Sequence, residues 1–272
     1  MAYVIFFLSG VLALAAIYAT AIGWLWFCQE RLLFEPDPLA QDQRISPDTD
    51  VHETFIDVPG ARLSAAQLKL PAPRGVVFFL HGNSGNLQKW FVDLDAFREL
   101  NFDVVMFDYR GFGKSSGQIA SEQQLRDDVR AVWDHYARNY DGKRVVISGQ
   151  SLGTGLAAGL SAELCAAGKA PDLTMMVSAY SSMQALADEL YPWVPRAVLR
   201  YPLATMDYAC RLTGKLMLIH GDKDELIGLH HSQALCKAVP HAQFHCVEGA
   251  GHGDVHQFPS FRQAVNAALV RL

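Results

Sequence analysis

Hydrophobic and polar positions divide the chain into three stretches of different rhythm. Residues 3–27 carry no charge over 25 positions, enough to cross a hydrocarbon layer of about 30 Å at about 1.5 Å per helical residue. Residues 35–50 are polar, with Pro and Asp interspersed. From Val51 onward, short apolar runs alternate with helical periods. VHETFIDV and RLSAAQLKL flank Pro59-Gly60, a turn signal. Apolar runs follow at 76–80, 104–107, 145–147, 175–177, 216–219 and 244–247. Short continuous runs bounded by turn residues suit strands buried on both faces of a parallel sheet. The clearest intervening helix is announced by Ser121 and Gln124, a capping-box pair. Leu125, Val129, Val132, Trp133 and Tyr136 then share one face. Six strand–helix units predict a doubly wound, mostly parallel α/β sheet. Such sheets carry their sites in loops at the carboxyl ends of the strands.

Composition narrows the class. Half of the 272 residues are hydrophobic and the net charge is −5, which allows a full core in one domain. It offers no clustered basic face for nucleic acid. The long apolar stretch reads as a retained single-pass anchor rather than a cleaved signal. Ala19-Thr20-Ala21 resembles a cleavage site, but no Lys or Arg precedes the run, and Ile22, Trp24, Leu25, Trp26 and Phe27 continue it. Trp24 and Trp26 stand where an aromatic belt meets the interface. Arg31 and Arg44 soon after the span lean toward a catalytic domain on the cytoplasmic face. Five cysteines at unpaired spacings argue against a disulfide framework. Cys28, at the membrane edge, suits lipidation in a suitable cell and is otherwise an ordinary thiol. The expected layout is an anchor at 1–28, a linker at 29–50 and a catalytic domain at 51–272.

Two segments match G-x-S-x-G: Gly149-Gln150-Ser151-Leu152-Gly153 and Gly113-Lys114-Ser115-Ser116-Gly117. A nucleophile elbow needs a strand entering and a helix leaving at once, with small flanking residues. RVVISGQ precedes Ser151 and LGTGLAAGLSAEL follows it, whereas Ser115 stands between two polar stretches. Ser151 is the nucleophile candidate and Ser115 a turn serine. Gly113-Lys114-Ser115 also ends like a phosphate-cradling loop, but Asp108 stands where that motif requires glycine.

A nucleophilic serine needs a base, an orienting acid and oxyanion donors. Gly249-Ala250-Gly251-His252-Gly253 offers His252 among small residues in the loop after the last strand. His256 is the weaker rival, His245 falls in a strand, and His230 and His231 read as solvent-facing on a helix. After the 216–219 strand, His220-Gly221-Asp222-Lys223-Asp224-Glu225 supplies acids, and spacing leaves Asp222 and Asp224 level. The N–H of Leu152 is one oxyanion donor. The other is expected from His81-Gly82-Asn83-Ser84-Gly85-Asn86, at Asn83. His252-x-Asp254-x-His256 has no partner pair at zinc-site spacing, so no metal and no cofactor is expected.

The assembled motifs, HGNSGN at His81, FDYRGFGKSSG at Phe107, GQSLG at Gly149, YPWVP at Tyr191, HGDKDELI at His220 and GAGHGD at Gly249, resemble the α/β-hydrolase superfamily. They are most similar to its bud-emergence-suppressor (BEM)-like, membrane-anchored branch and to serine-aminopeptidase and monoacylglycerol-lipase-like hydrolases. The resemblance implies that the acid is the last residue of HGxxD, which is Asp224. Ile227-Gly228 departs from the usual Val-Pro, and Gly214-Lys215 from the usual proline before the strand. The resemblance also implies a serine hydrolase acting on an ester or thioester, in the manner of a carboxylesterase, lysophospholipase or acyl-protein thioesterase. An aminopeptidase-type amide hydrolase is the alternative, as is a non-catalytic, membrane-anchored binding protein on the same fold.

The stretch between Ser178 and Gly214 is too long for a plain loop and is expected to form a helical lid at about 183–213. Its aromatics, Tyr191 and Trp193 foremost, are candidates to line a pocket for a small or lipid-like acyl substrate.

Overall fold

The computed structural model describes residues 2–272. Eight strands form one sheet: β1 Val51–Val58, β2 Ala61–Leu68, β3 Gly75–Leu80, β4 Phe102–Phe107, β5 Arg144–Gln150, β6 Leu173–Val177, β7 Lys215–Gly221 and β8 Ala242–Val247. Their order is β1-β2-β4-β3-β5-β6-β7-β8. β2 is antiparallel to β1 and β4, and every other pairing is parallel. Besides two short helices at Leu87–Trp90 and Asp95–Glu99, the helices are α1 Ala2–Leu33, α2 Glu122–Ala137, α3 Leu152–Ala166, α4 Met183–Leu190, α5 Thr205–Ala209, α6 His230–Ala238 and α7 Pro259–Val270.

The alternation of strand side chains decides which helix covers which face. Phe78 and Ile147 pack with Leu125, Val129 and Trp133 of α2 and Leu156 of α3. Their neighbours Val77 and Val146 point the other way, into a cluster with Val265 and Leu269 of α7. Covered on both sides, the central strands are apolar throughout, as expected of a doubly wound sheet. Ser121 caps α2 by accepting the Gln124 N–H at 3.1 Å, and Gln124 Oε1 returns to the Ala120 N–H at 2.9 Å.

Among the described residues one helix, α1, is long and apolar enough to cross a membrane; its span is given by Tyr3–Leu33 with mean hydropathy 2.2. Its serine and threonine hydroxyls bond their own helix: Ser9 Oγ to Ile5 O at 2.7 Å and Thr20 Oγ1 to Ala16 O at 2.8 Å. The helix passes residue 28 and ends at Leu33, and the segment expected as a plain linker is packed. Phe34 and Ile45 are buried. Glu35–Pro36 pairs in parallel with Ser84–Gly85, and the Leu39 N–H bonds Gly113 O at 2.8 Å.

The lid interval holds α4, a single 3₁₀ turn at Arg196–Val198, and α5. His231 differs from its sequence reading. It is 1 % exposed, because the turn after β6 folds over it and places the Ser181 hydroxyl 3.0 Å from Nδ1.

Candidate active site

β5 runs directly into Ser151, and α3 begins at the next residue. Ser151 has φ 51° and ψ −121°, a backbone region that side chains rarely occupy and that persists only when the surroundings impose it. The glycines around it are required by contact. A Cβ at Gly149 would lie 2.2 Å from Gly153 O, and one at Gly153 would lie 1.9 Å from Leu80 O. The Ser151 N–H is tied to Val177 O at 3.0 Å. Ser115, by contrast, is absorbed in a turn, donating to Asp108 O at 2.6 Å and accepting the Ser64 N–H at 2.8 Å.

His252 Nε2 stands 3.0 Å from Ser151 Oγ, and its Nδ1 is 2.8 Å from Asp224 Oδ2. The Asp224 carboxylate is fully enclosed. Oδ1 accepts the Leu226 and Ile227 N–H groups at 3.0 and 2.8 Å, and Oδ2 lies 3.2 Å from His220 Nε2. Burial opposes ionisation there. The hydrogen bonds from His220, His252 and the Ile227 N–H outweigh it and hold the carboxyl well below the usual carboxylate range. Asp222 is turned elsewhere, accepting the Gly249 N–H at 2.6 Å and so bracing the loop that carries His252. His256 lies in a 3₁₀ turn, Val255–Gln257, and its described hydrogen bond is a carbonyl acceptance from Arg262.

The Leu152 and Asn83 N–H groups, the expected oxyanion donors, have no protein acceptor among the described residues. The loop bearing Asn83 presses on the serine: a Cβ at Gly82 would be 3.7 Å from Ser151 Cβ and 3.0 Å from the Trp90 ring. Asn83 is gripped from the end of α1, its amide donating to Leu33 O at 3.1 Å and its carbonyl accepting the Glu35 N–H at 2.8 Å.

Three residues behind this loop were not singled out from the sequence. Trp90 Nε1 donates to Ser84 O at 2.7 Å. Asp108 Oδ1 accepts the Leu87 N–H at 2.9 Å, and His81 Nε2 faces Asp108 at 3.9 Å. Burial pulls His81 down to about 4. Burial also pushes Asp108 up to about 7, against the Leu87 and Lys114 N–H groups. For His81 and Asp108 the signal lay inside the motifs HGNSGN and FDYRG, whose polar residues have no amphipathic rhythm to mark them as buried, and Trp90 lies outside both motifs.

Tyr191 and Trp193 stand in the lid, directly after α4. Both are about half exposed, and the described hydrogen bond of Trp193 is its carbonyl accepting from Tyr18 at 3.0 Å. Glu189, His230 and His231 converge within 4.8 Å, a grouping that ordinary hydrogen bonding explains. His230 Nε2 donates to Glu189 Oε1 at 3.0 Å. His231 Nδ1 accepts the Ser181 N–H at 3.3 Å, which leaves the ring proton on Nε2, facing Glu189 at 3.3 Å.

A family model described as serine aminopeptidase, S33, matches residues 71–202. That interval, just under half the chain, holds the His81 loop, the Ser151 elbow and the first part of the lid. The structure of an esterase from Pyrococcus furiosus covers 88% of this chain and 97% of its own, with a TM-score of 0.68 at 18% identity. This chain has the α/β-hydrolase fold. A thioesterase domain from the curacin biosynthetic pathway shares the hydrolase fold at 14% identity, with a TM-score of 0.60 over 81% of this chain and 99% of that one. Among curated relatives, alpha/beta hydrolase domain-containing protein 17C of Xenopus tropicalis is 29% identical over 199 residues, which is 70% of this chain. The match spans 60% of that relative's length.

Proposed function

We propose that this α/β-hydrolase is a serine hydrolase that cleaves an ester or thioester through an acyl-enzyme on Ser151. The observation that carries the reading is the continuous Ser151–His252–Asp224 chain at 3.0 and 2.8 Å, built on a strained elbow. Ser151 Oγ attacks the acyl carbon while His252 Nε2 takes its proton. Asp224 fixes the tautomer with the proton on Nδ1 and stabilises the imidazolium. The N–H groups of Leu152 and Asn83 hold the oxyanion. Collapse expels the alcohol or thiol, which leaves with the proton from His252. A water molecule then attacks the acyl-serine, gives its proton to His252, and the acid departs as Ser151 is restored.

The substrate in this reading is small or lipid-like, and α1 anchors the enzyme in a membrane by a single pass with the catalytic domain on the cytoplasmic face. The apolar lid beside the anchor supports an acyl group of some length, with Trp193 and Tyr191 as its contacts. The second reading, an aminopeptidase-type amide hydrolase, is favoured by the description of the matching family model.

A panel of acetyl to long-chain esters, acyl thioesters and aminoacyl amides separates these. Ester and thioester turnover is expected to rise with chain length, since each buried methylene is worth about 0.8 kcal/mol. Trp193→Ala is expected to reduce long-chain turnover more than acetyl turnover. Turnover of amides alone would move the assignment to the peptidase. A folded chain that turns over nothing and takes up no serine-directed probe would make it a non-catalytic binding protein.

A further inference from the structure

The anchor helix and the lid are joined along much of their length. Gln29, buried near the end of α1, donates to Val198 O at 2.9 Å and accepts the Arg200 N–H at 2.7 Å. Glu30 pairs with the Arg200 guanidinium and accepts from the Tyr201 hydroxyl at 2.7 Å. Further toward the N-terminus, the Tyr18 hydroxyl donates to Trp193 O at 3.0 Å. These contacts fix the depth of the lid relative to the helix that is proposed to cross the bilayer.

The interface on α1 is marked twice. Glu30 and Arg31 are its first charges, and Arg200 lies over the Trp26 ring at 5.7 Å, an aromatic and cationic girdle of the kind found at headgroup level. Tyr18 precedes Trp24 and Trp26 by six to eight residues, about 9–12 Å along the helix axis at about 1.5 Å per residue. The reach of the tyrosine side chain changes this by about one helical turn, or about 5.4 Å. The Trp193 carbonyl therefore stands on the hydrocarbon side of the belt.

The tip itself suits that surrounding. Leu190, Tyr191 and Trp193 are each about half exposed to solvent, although large apolar groups of a soluble domain are usually covered. Its N–H groups are nearly spent: the Tyr191 N–H bonds Ala187 O at 2.8 Å, the Val194 N–H bonds Tyr191 O at 2.9 Å, and Pro192 and Pro195 have none. Between 191 and 195, Trp193 alone has an N–H without an acceptor among the described residues. Few unpaired donors ease the entry of irregular chain into hydrocarbon, and the Leu190, Pro192 and Val194 carbonyls, which have no donor among the described residues, are left to the headgroup side. Asp188 and Arg196, paired at 2.8 Å, edge the tip with charge, and an arginine stem is long enough to carry its head back to the interface.

We infer that the lid tip, residues 190–194, is embedded in the hydrocarbon of the leaflet that holds the C-terminal half of α1, so the enzyme receives acyl groups from within that leaflet. The inference rests on the anchoring reading above and names the source of its substrate. A lid held at this depth meets an acyl chain before any headgroup, and it stands on the segment that leaves the carboxyl end of β6, next to the strand of Ser151.

The test uses the full chain in phosphatidylcholine vesicles. With native cysteines replaced, Trp193→Cys and Leu190→Cys each carry an environment-sensitive fluorophore, and Lys169→Cys on the opposite part of the domain serves as the aqueous control. Vesicle flotation is read first, because a chain that fails to float overturns the anchoring reading and the inference with it. In chains that float, the two lid labels are expected to emit to the blue of the control, to be quenched by doxyl groups on the lipid acyl chain, and to resist aqueous iodide. Lid labels quenched by iodide as readily as the control, on protein that floats, would overturn the embedded lid and leave the anchor standing.

Discussion

Asp224 receives the Leu226 and Ile227 N–H groups and faces both His220 and His252, whereas Asp222 receives Gly249 alone. Asp224→Asn is expected to lower kcat on a soluble ester by on the order of 10⁴, through loss of the productive His252 tautomer. Asp222→Asn is expected to keep most of the activity and to lose about 1 kcal/mol in urea unfolding, the value of one loop hydrogen bond. The reverse pattern would move the acid to Asp222. Behind the Asn83 loop, burial shifts His81 and Asp108 in opposite directions. With the folded pKa of His81 depressed to about 4, the unfolded chain binds the proton first and stability falls as pH drops from about 6.5. With that of Asp108 raised to about 7, the folded chain binds the proton first and stability rises as pH drops over the same range. Asp108→Asn should therefore expose a loss of stability between pH 7 and 4.5 that is steeper than in the wild type, read by urea unfolding at the two pH values. A shallower loss than wild type would contradict the opposed pair. The strand-to-helix turn at Ser151 and the loop that faces it were legible because such a turn has strict local requirements. The two acids were not separable by spacing, since the fold of one short loop decides which carboxyl turns inward. The burial of His231 and the His81–Asp108 contact depend on segments distant in sequence.

At the scale of elements, the strands and α2 were readable from rhythm and capping, and residues 29–50 were not. That segment is held largely through backbone pairing, Glu35 to Asn83, Asp37 to Gly85 and Leu39 to Gly113, which leaves no side-chain pattern to read. We propose that the folded unit begins near Gln29. A chain truncated before Gln29 is expected to unfold with the same free energy as the full domain. One beginning at Asp50 loses Phe34 and Ile45 from the core and the strap beside Asn83. Deleting one large buried side chain alone costs roughly 3–5 kcal/mol, so this shorter chain is expected to be strongly destabilised. Equal urea midpoints for the two would show the segment to be dispensable. The reach of α1 into the domain was equally hidden, because Gln29-Glu30-Arg31 at the end of a long apolar run carries no sign of the distant partners it meets.

For the whole molecule, the doubly wound sheet was legible because buried parallel strands and intervening helices write two distinct periods. The lid's position against the anchor was not, since it depends on contacts between residues 169 or more apart in the chain. The sheet brings three loops from the carboxyl ends of β5, β7 and β8 to one point, and a fourth from β3 faces them, so the proposed chemistry depends on the assembled sheet edge. The account stands most directly on Ser151. Labelling the full chain with a fluorophosphonate and mapping the adduct by peptide mass spectrometry tests it. The expected result is one adduct, on the peptide bearing Ser151, abolished by Ser151→Ala and retained in Ser115→Ala. An adduct that survives Ser151→Ala, or one that maps to Ser115, would contradict it.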